Sequence, residues 1–203
     1  MNNIYFITGI GTGIGKTIVS AILTEKLNAD YWKPIQSGDL DISDSLHVQQ
    51  LISNKTTKIH PERYRLSQPL SPHLSARLDG VQISLDQLRI PETENDLIIE
   101  GAGGLMVPLN DEELMLDLIK AYGVKVIVVT QNYLGSINHT LLTLEVLRAN
   151  GVQIGGLIFN GAANQETEDY ISNYSNVDIL GKVPKLSVID KESIIMSGTY
   201  VSL

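Results

Sequence analysis

Short apolar runs alternate with amphipathic stretches along this chain. Residues 3–8 read as a first strand and Lys16–Leu27 as a first helix. Residues 30–33 read as a very short second strand. Residues 44–52 have helical spacing, with Leu46, Leu51 and Ile52 on one side. Residues 61–72 hold three of the seven prolines and read as a loop, with a short helix over 71–78. A strand over 96–100 runs into the turn Gly101-Ala102-Gly103-Gly104, and a helix over 112–122 stops at Gly123. Residues 124–130 are rich in β-branched side chains, as expected of a strand buried on both faces. The helix Ser136–Ala149 ends at the stop signal Asn150-Gly151. Strands over 154–159 and 179–183 flank a helix over 166–174, and the last twenty residues carry no clear pattern. This alternation predicts one α/β domain over residues 1–203, with a mainly parallel sheet flanked by helices.

Composition narrows the function. A chain of 203 residues, 43% hydrophobic and 19% charged, suits a single domain with a sizeable core. No apolar run approaches the roughly 20 residues that cross a membrane. Residues 1–6 lack the basic and apolar regions of a signal peptide, which predicts a cytoplasmic protein. The absence of cysteine excludes disulfides, thiolate zinc sites and a cysteine nucleophile. A net charge of -8 argues against binding a nucleic-acid backbone.

The strongest chemical signal is Thr8-Gly9-Ile10-Gly11-Thr12-Gly13-Ile14-Gly15-Lys16-Thr17, placed between a predicted strand and a predicted helix. Glycines let successive backbone N–H groups curl inward toward phosphate oxygens, and the helix N-terminus adds positive potential. Residues 11–17 therefore read as a P-loop for ATP. Lys16 neutralises the β- and γ-phosphates and Thr17 sets its hydroxyl on Mg2+. The loop is one residue longer than the common form, since Gly9 stands six residues before Gly15. The spacing also breaks the G-x-G-x-x-G of dinucleotide sites.

Lys33 closes the second strand ahead of Pro34-Ile35-Gln36-Ser37-Gly38, at the strand end where open α/β sheets bind ligands. It reads either as a group aimed at phosphate or an anionic substrate, or as a surface lysine. Glu100 ends an apolar strand where a magnesium ligand belongs. Asp44 reads equally as a metal ligand or as a helix-start residue. His47, His60, His73 and His139 lack metal-ligand spacing and read as structural or surface residues.

In order along nearly the whole chain, these segments resemble the dethiobiotin synthetase family. The resemblance rests on the extended loop ending Gly15-Lys16-Thr17, Lys33-Pro34 through Ser37-Gly38, Ser43-Asp44 and Pro69-Leu70-Ser71-Pro72-His73. It continues through Glu100-Gly101-Ala102-Gly103-Gly104, Gly135-Ser136-Ile137-Asn138-His139 and Asn160. It implies a P-loop NTPase-like fold and a homodimer. The implied reaction joins 7,8-diaminononanoate, carbon dioxide and MgATP into dethiobiotin, through a carbamate and a carbamic-phosphoric anhydride, with release of ADP and phosphate. By the same resemblance Thr17, Asp44 and Glu100 hold magnesium, and Lys16, Lys33 and Ser37 serve catalysis. Asn160 and the segment from Pro184 to Leu186 meet adenine. Thr12, Lys33, Ser37, Gly103, Ser136, Ile137 and Asn138 contact substrate. The rival reading is a partition-type regulatory ATPase. Its signature lysine early in the loop is replaced here by Gly11.

Overall fold

The computed structural model describes residues 2–203. Seven strands form one sheet: β1 (Ile4–Gly9), β2 (Asp30–Trp32), β4 (Ile59–His60), β6 (Leu97–Glu100), β7 (Lys125–Thr130), β8 (Ile154–Gly161) and β9 (Ile179–Pro184). They lie in the order β4-β2-β6-β1-β7-β8-β9, and every neighbouring pair is parallel. All strands therefore end on one side of the sheet. The turns after β1, β2 and β6 meet there, which places Lys16, Lys33 and Glu100 together.

Helices cover both faces, as parallel strands require. One face packs against α4 (Met115–Tyr122), α5 (Ser136–Ala149) and α6 (Gln165–Ser175) through Phe6, Ile99, Leu118, Leu144, Leu147 and Ile171. The other packs against α1 (Lys16–Leu27), α2 (Asp44–Leu51) and α7 (Lys191–Ser197) through Ile7, Val19, Ile22, Val48, Ile127 and Ile194. Both faces of β7 are filled, so the unbroken apolar run at 126–129 is the sequence mark of a central parallel strand.

Several elements depart from the sequence reading, the short strand β4 among them. The proline-rich stretch holds β5 (Tyr64–Leu66), which pairs in parallel with β3 (Ile35–Ser37) in a separate two-stranded sheet beside α3 (Pro72–Leu78). Helix α4 starts at Met115, because Asn110 Oδ1 accepts from the N–H groups of Glu112 and Glu113 and holds those residues in a turn. Helix α7 lies in the tail. Asp190 accepts from the Ser193 N–H at its start, and Val201 then bridges back to Gly181 on β9.

Asp30 ties β2 to its surroundings. Its Oδ1 accepts from the Lys58 N–H and from Asn95, both at 2.9 Å. Its Oδ2 accepts from the Thr93 hydroxyl at 2.6 Å and lies 3.1 Å from His60 Nε2. Burial opposes ionisation of this carboxyl, but the hydrogen bonds outweigh it and hold Asp30 below the usual aspartate range. A lowered folded value contributes stability above the unfolded value, and that contribution is lost as pH falls through the folded value. Asp30→Asn puts an N–H against existing donors, so it should cost about 2 kcal/mol at neutral pH. The gap in urea midpoint to the native chain should narrow as pH drops below the ordinary aspartate range. A gap that stays constant down to acid unfolding would show that the charge is not what Asp30 contributes.

Candidate active site

The glycine loop winds around its own lysine. Lys16 Nζ donates to the Gly11 carbonyl at 2.8 Å. Gly13 and Gly15 adopt positive φ of 74° and 88°, where a side chain is strained. A Cβ at 15 would also lie 2.0 Å from Asn160 Nδ2 and push that amide aside. That amide in turn donates to the Ile14 carbonyl at 3.0 Å and fixes the loop against β8.

At the foot of the loop, four segments converge on one charge cluster. Thr17 Oγ1 lies 2.9 Å from Asp44 Oδ1 and 3.0 Å from Glu100 Oε1, within donating reach of either. Lys33 Nζ lies 2.6 Å from Asp44 Oδ2 and 3.0 Å from Glu100 Oε1, and it donates to the Gly101 carbonyl at 3.2 Å. Of the two readings of Lys33 the surface one fails, since the residue is only 4% exposed. Asp44 occupies the first turn of α2, but the N-cap is Ser43, whose hydroxyl accepts from the Leu46 N–H. The Asp44 carboxylate is thereby free to face the cluster.

Burial disfavours the Lys33 ammonium, yet Glu100 and Asp44 more than compensate and raise its pKa. Burial also opposes the charge on Asp44, and Lys33 and Thr17 hold its pKa below the usual value. Lys16 is lowered to about 8, first by burial and then by Lys33, with Glu100 and Asp44 partly offsetting both.

The donor set fits a hard cation. It offers two carboxylates and a hydroxyl, and an ammonium already sits between the carboxylates. Among the described residues no group of three or more His, Cys, Asp or Glu could hold a metal ion unaided. Magnesium suits such a partial set, because it takes its other ligands from phosphate and water.

The cluster opens into a cleft of about 770 Å³ that Thr12, Ser37 and Gly103 also line. The Ser37 hydroxyl is buried and has no partner among the described residues. Asn160 and Pro184 line a second hollow of about 150 Å³. Leu186 lies apart, in an open hollow beside Val188 and Met196. At the start of α5, Gly135 is the N-cap with φ 101°. Ser136 is buried, its N–H donates to the Tyr133 carbonyl, and its Oγ accepts from the Tyr133 N–H. Asn138 is exposed, and Ile137 half-buried, so the outward part of this helix start is 137–138.

A family model described as an AAA domain matches residues 3–193. The ATP-dependent dethiobiotin synthetase BioD of Christiangramia forsetii is 49% identical over 187 residues, covering 92% of this chain and 90% of that protein. The ATP-dependent dethiobiotin synthetase BioD of Brucella ovis is 46% identical over 194 residues, covering 96% and 92%. The chain belongs to the dethiobiotin synthetase family. Among solved structures, MinD from Pyrococcus horikoshii, complexed with Mg-ADP, aligns with a TM-score of 0.61 at 19% identity, over 97% of this chain and 86% of that one. A ParA family ATPase from Chlorobium tepidum aligns at 0.59 and 14% identity, over 98% and 92%. At these identities the likeness to partition and division ATPases is one of fold.

Within this dethiobiotin synthetase family member, three site residues escape a sequence reading. The Tyr31 hydroxyl donates to Glu100 Oε2 at 2.9 Å. Gln36 accepts the Asp44 N–H at 3.2 Å and donates to the Gly38 carbonyl at 3.0 Å, which joins the β3 loop to the start of α2. His47, one turn beyond Asp44, lines the cleft. The Tyr31 contact joins residues 69 apart in the chain, and no local spacing marks it. Lys16→Ala should leave the fold intact and lower turnover by on the order of 10²-fold or more. A folded variant that keeps more than about half the activity would remove the phosphate role of Lys16.

Proposed function

We propose that this protein is an ATP-dependent dethiobiotin synthetase that closes the ring of dethiobiotin from 7,8-diaminononanoate and carbon dioxide. The observation that carries this reading is the meeting of Lys33, Asp44, Glu100 and Thr17 at the foot of the P-loop, facing the cleft of about 770 Å³. The close relatives named for this activity support it.

In this reading Thr17, Asp44 and Glu100 hold magnesium, and residues 11–17 cradle the phosphates through backbone N–H groups and Lys16. MgATP, when bound, supplies the phosphoryl group that makes a carbamate oxygen able to leave. The protein's own task is electrostatic. A carbamate and a triphosphate repel each other, and Lys16 and Lys33 lower that repulsion from inside a poorly hydrated cleft. Ser37, with its unpaired hydroxyl, and Thr12 and Gly103 position the diamine end. The reaction needs no side-chain nucleophile, which suits a chain without cysteine. Asn160 and Pro184 flank adenine, with Leu186 at the rim of that segment.

We further propose a homodimer. Leu134 is 103% exposed, and Met106 and Leu142 are more than half exposed. Met106 and Leu142 border a hollow of about 410 Å³ between the P-loop and α5. A second copy would cover this face and bring residues 137–138 to its partner's substrate, where the free N–H groups of a helix start suit a carboxylate. No helix of the described residues is long and apolar enough to cross a membrane. We place the enzyme in the cytoplasm.

Release of ADP should depend on both the diamine and bicarbonate, and should not respond to DNA or lipid; stimulation by DNA or lipid instead would favour the partition-type reading. Asp44→Asn removes a hard anionic oxygen at constant shape. It should raise the magnesium midpoint of turnover, and an unshifted midpoint would confine Asp44 to helix initiation. If the dimer shares its sites, Lys33→Ala and Asn138→Glu chains, each inactive alone, should rescue each other when mixed. Random exchange makes about half the dimers mixed, so about a quarter of all sites should be intact. Silence after verified exchange would assign both ends of the substrate to one chain.

A further inference from the structure

The sheet register sets a tyrosine against the carboxylate on which the proposed magnesium site depends. Tyr31 on β2 lies beside Ile98 on β6. Side chains alternate along a strand, so Ile98 and Glu100 share a face, and Tyr31 lies on that face too. Two residues of strand span about 6.6 Å. A phenol crosses that distance with its hydroxyl, whereas a short polar side chain falls short. Tyr31 is completely buried, and its hydroxyl meets Glu100 Oε2 at 2.9 Å. The other oxygen, Oε1, accepts from Thr17 and Lys33, each at 3.0 Å. Among the described residues no other donor reaches Oε2, and Glu100 is only 1% exposed, so bulk water does not replace the phenol.

We infer that Tyr31 is a positioning residue for magnesium, holding the Glu100 carboxylate in the rotation that presents Oε1 to Thr17 and the P-loop. It acts through Glu100 and touches neither substrate nor nucleotide. The inference rests on the reading of Glu100 as a metal ligand. A packing role alone would be met by phenylalanine, which keeps the ring and its apolar contacts. Without the hydroxyl, Oε2 is left bare in the interior. The nearest donors are then Thr17 and Lys33. A carboxylate that turns both oxygens toward them holds the ammonium more firmly and offers the metal less. Partners of this kind commonly change metal affinity by about 10- to 100-fold.

The test is the magnesium dependence of binding of a fluorescent, non-hydrolysable ATP analogue. Tyr31→Phe should raise the magnesium midpoint by about tenfold or more. Binding of the same analogue without metal should be unchanged. Site-specific 4-aminophenylalanine at position 31 restores a donor at the same reach and should return the midpoint toward that of the native chain. The isosteric 4-fluorophenylalanine fills the space without donating and should behave as Tyr31→Phe does. An unchanged or lowered midpoint in Tyr31→Phe overturns the inference, as does an amino variant no better than the fluoro variant. If Tyr31→Phe does not fold, the amino and fluoro pair decides. Glu100→Gln is titrated alongside. If it leaves the midpoint unmoved, the metal reading of Glu100 fails. If Glu100→Gln moves the midpoint and Tyr31→Phe does not, the positioning role alone fails.

Discussion

The buried ammonium of Lys33 is the constraint on which the site's architecture depends. Removing such a charge from water costs several kcal/mol, and only close, well-aligned carboxylates offset it. Asp44 at 2.6 Å and Glu100 at 3.0 Å do so here. One comes from the start of α2 and the other from the end of β6, while Lys33 itself follows β2. Thr17 at the start of α1 then lies within hydrogen-bond reach of both carboxylates. Four segments far apart in sequence are thus pinned to one point by a single electrostatic requirement, and the cleft inherits their arrangement.

The same cluster is balanced before any ligand enters. Two lysines face two carboxylates in a poorly hydrated space. A polyphosphate that arrives with a divalent cation brings both signs of charge, so the balance is kept within the cleft and no large net charge is buried. Lys16, held down to about 8 by burial and by Lys33, is the member with most to gain from that arrival. Opposite charge beside an ammonium favours its protonated form.

Features encoded by local pattern were legible in the sequence. Helices Lys16–Leu27 and Ser136–Ala149 have the bounds their periodicity and stop signals imply. The P-loop stands where a strand meets a helix. The separate sheet of β3 and β5 was not legible, because three-residue strands show no periodicity and their pairing joins distant segments. Nor was α7, whose capping residues lie in an otherwise patternless tail. In the site, the residue types at 16, 17 and 100 pointed to phosphate and metal chemistry, while those at 33 and 44 left ligand and structural roles open. The contact of Tyr31 with Glu100 and that of Asn160 with the loop 146 residues away were hidden, since they depend on register and topology. Ser136, a substrate contact by resemblance, has a hydroxyl that accepts from the Tyr133 N–H, a contact its residue type does not reveal.

Helix α7 bears on how the chain can assemble during synthesis. It lies against α1, with Ile194 fully buried in the same cluster as Val19 and Ile22. Lys26 on α1 donates to the Gly198 carbonyl, 172 residues downstream. The helix that carries the P-loop lysine therefore leaves the ribosome well before the segment that completes its cover. Until residues 191–201 emerge, part of its apolar face stays wet, and the edge of β9 lacks its closing bridge to Val201. A nascent chain in that condition offers both an uncovered helix face and an open strand edge, which are the surfaces that holding chaperones bind and that neighbouring chains can join.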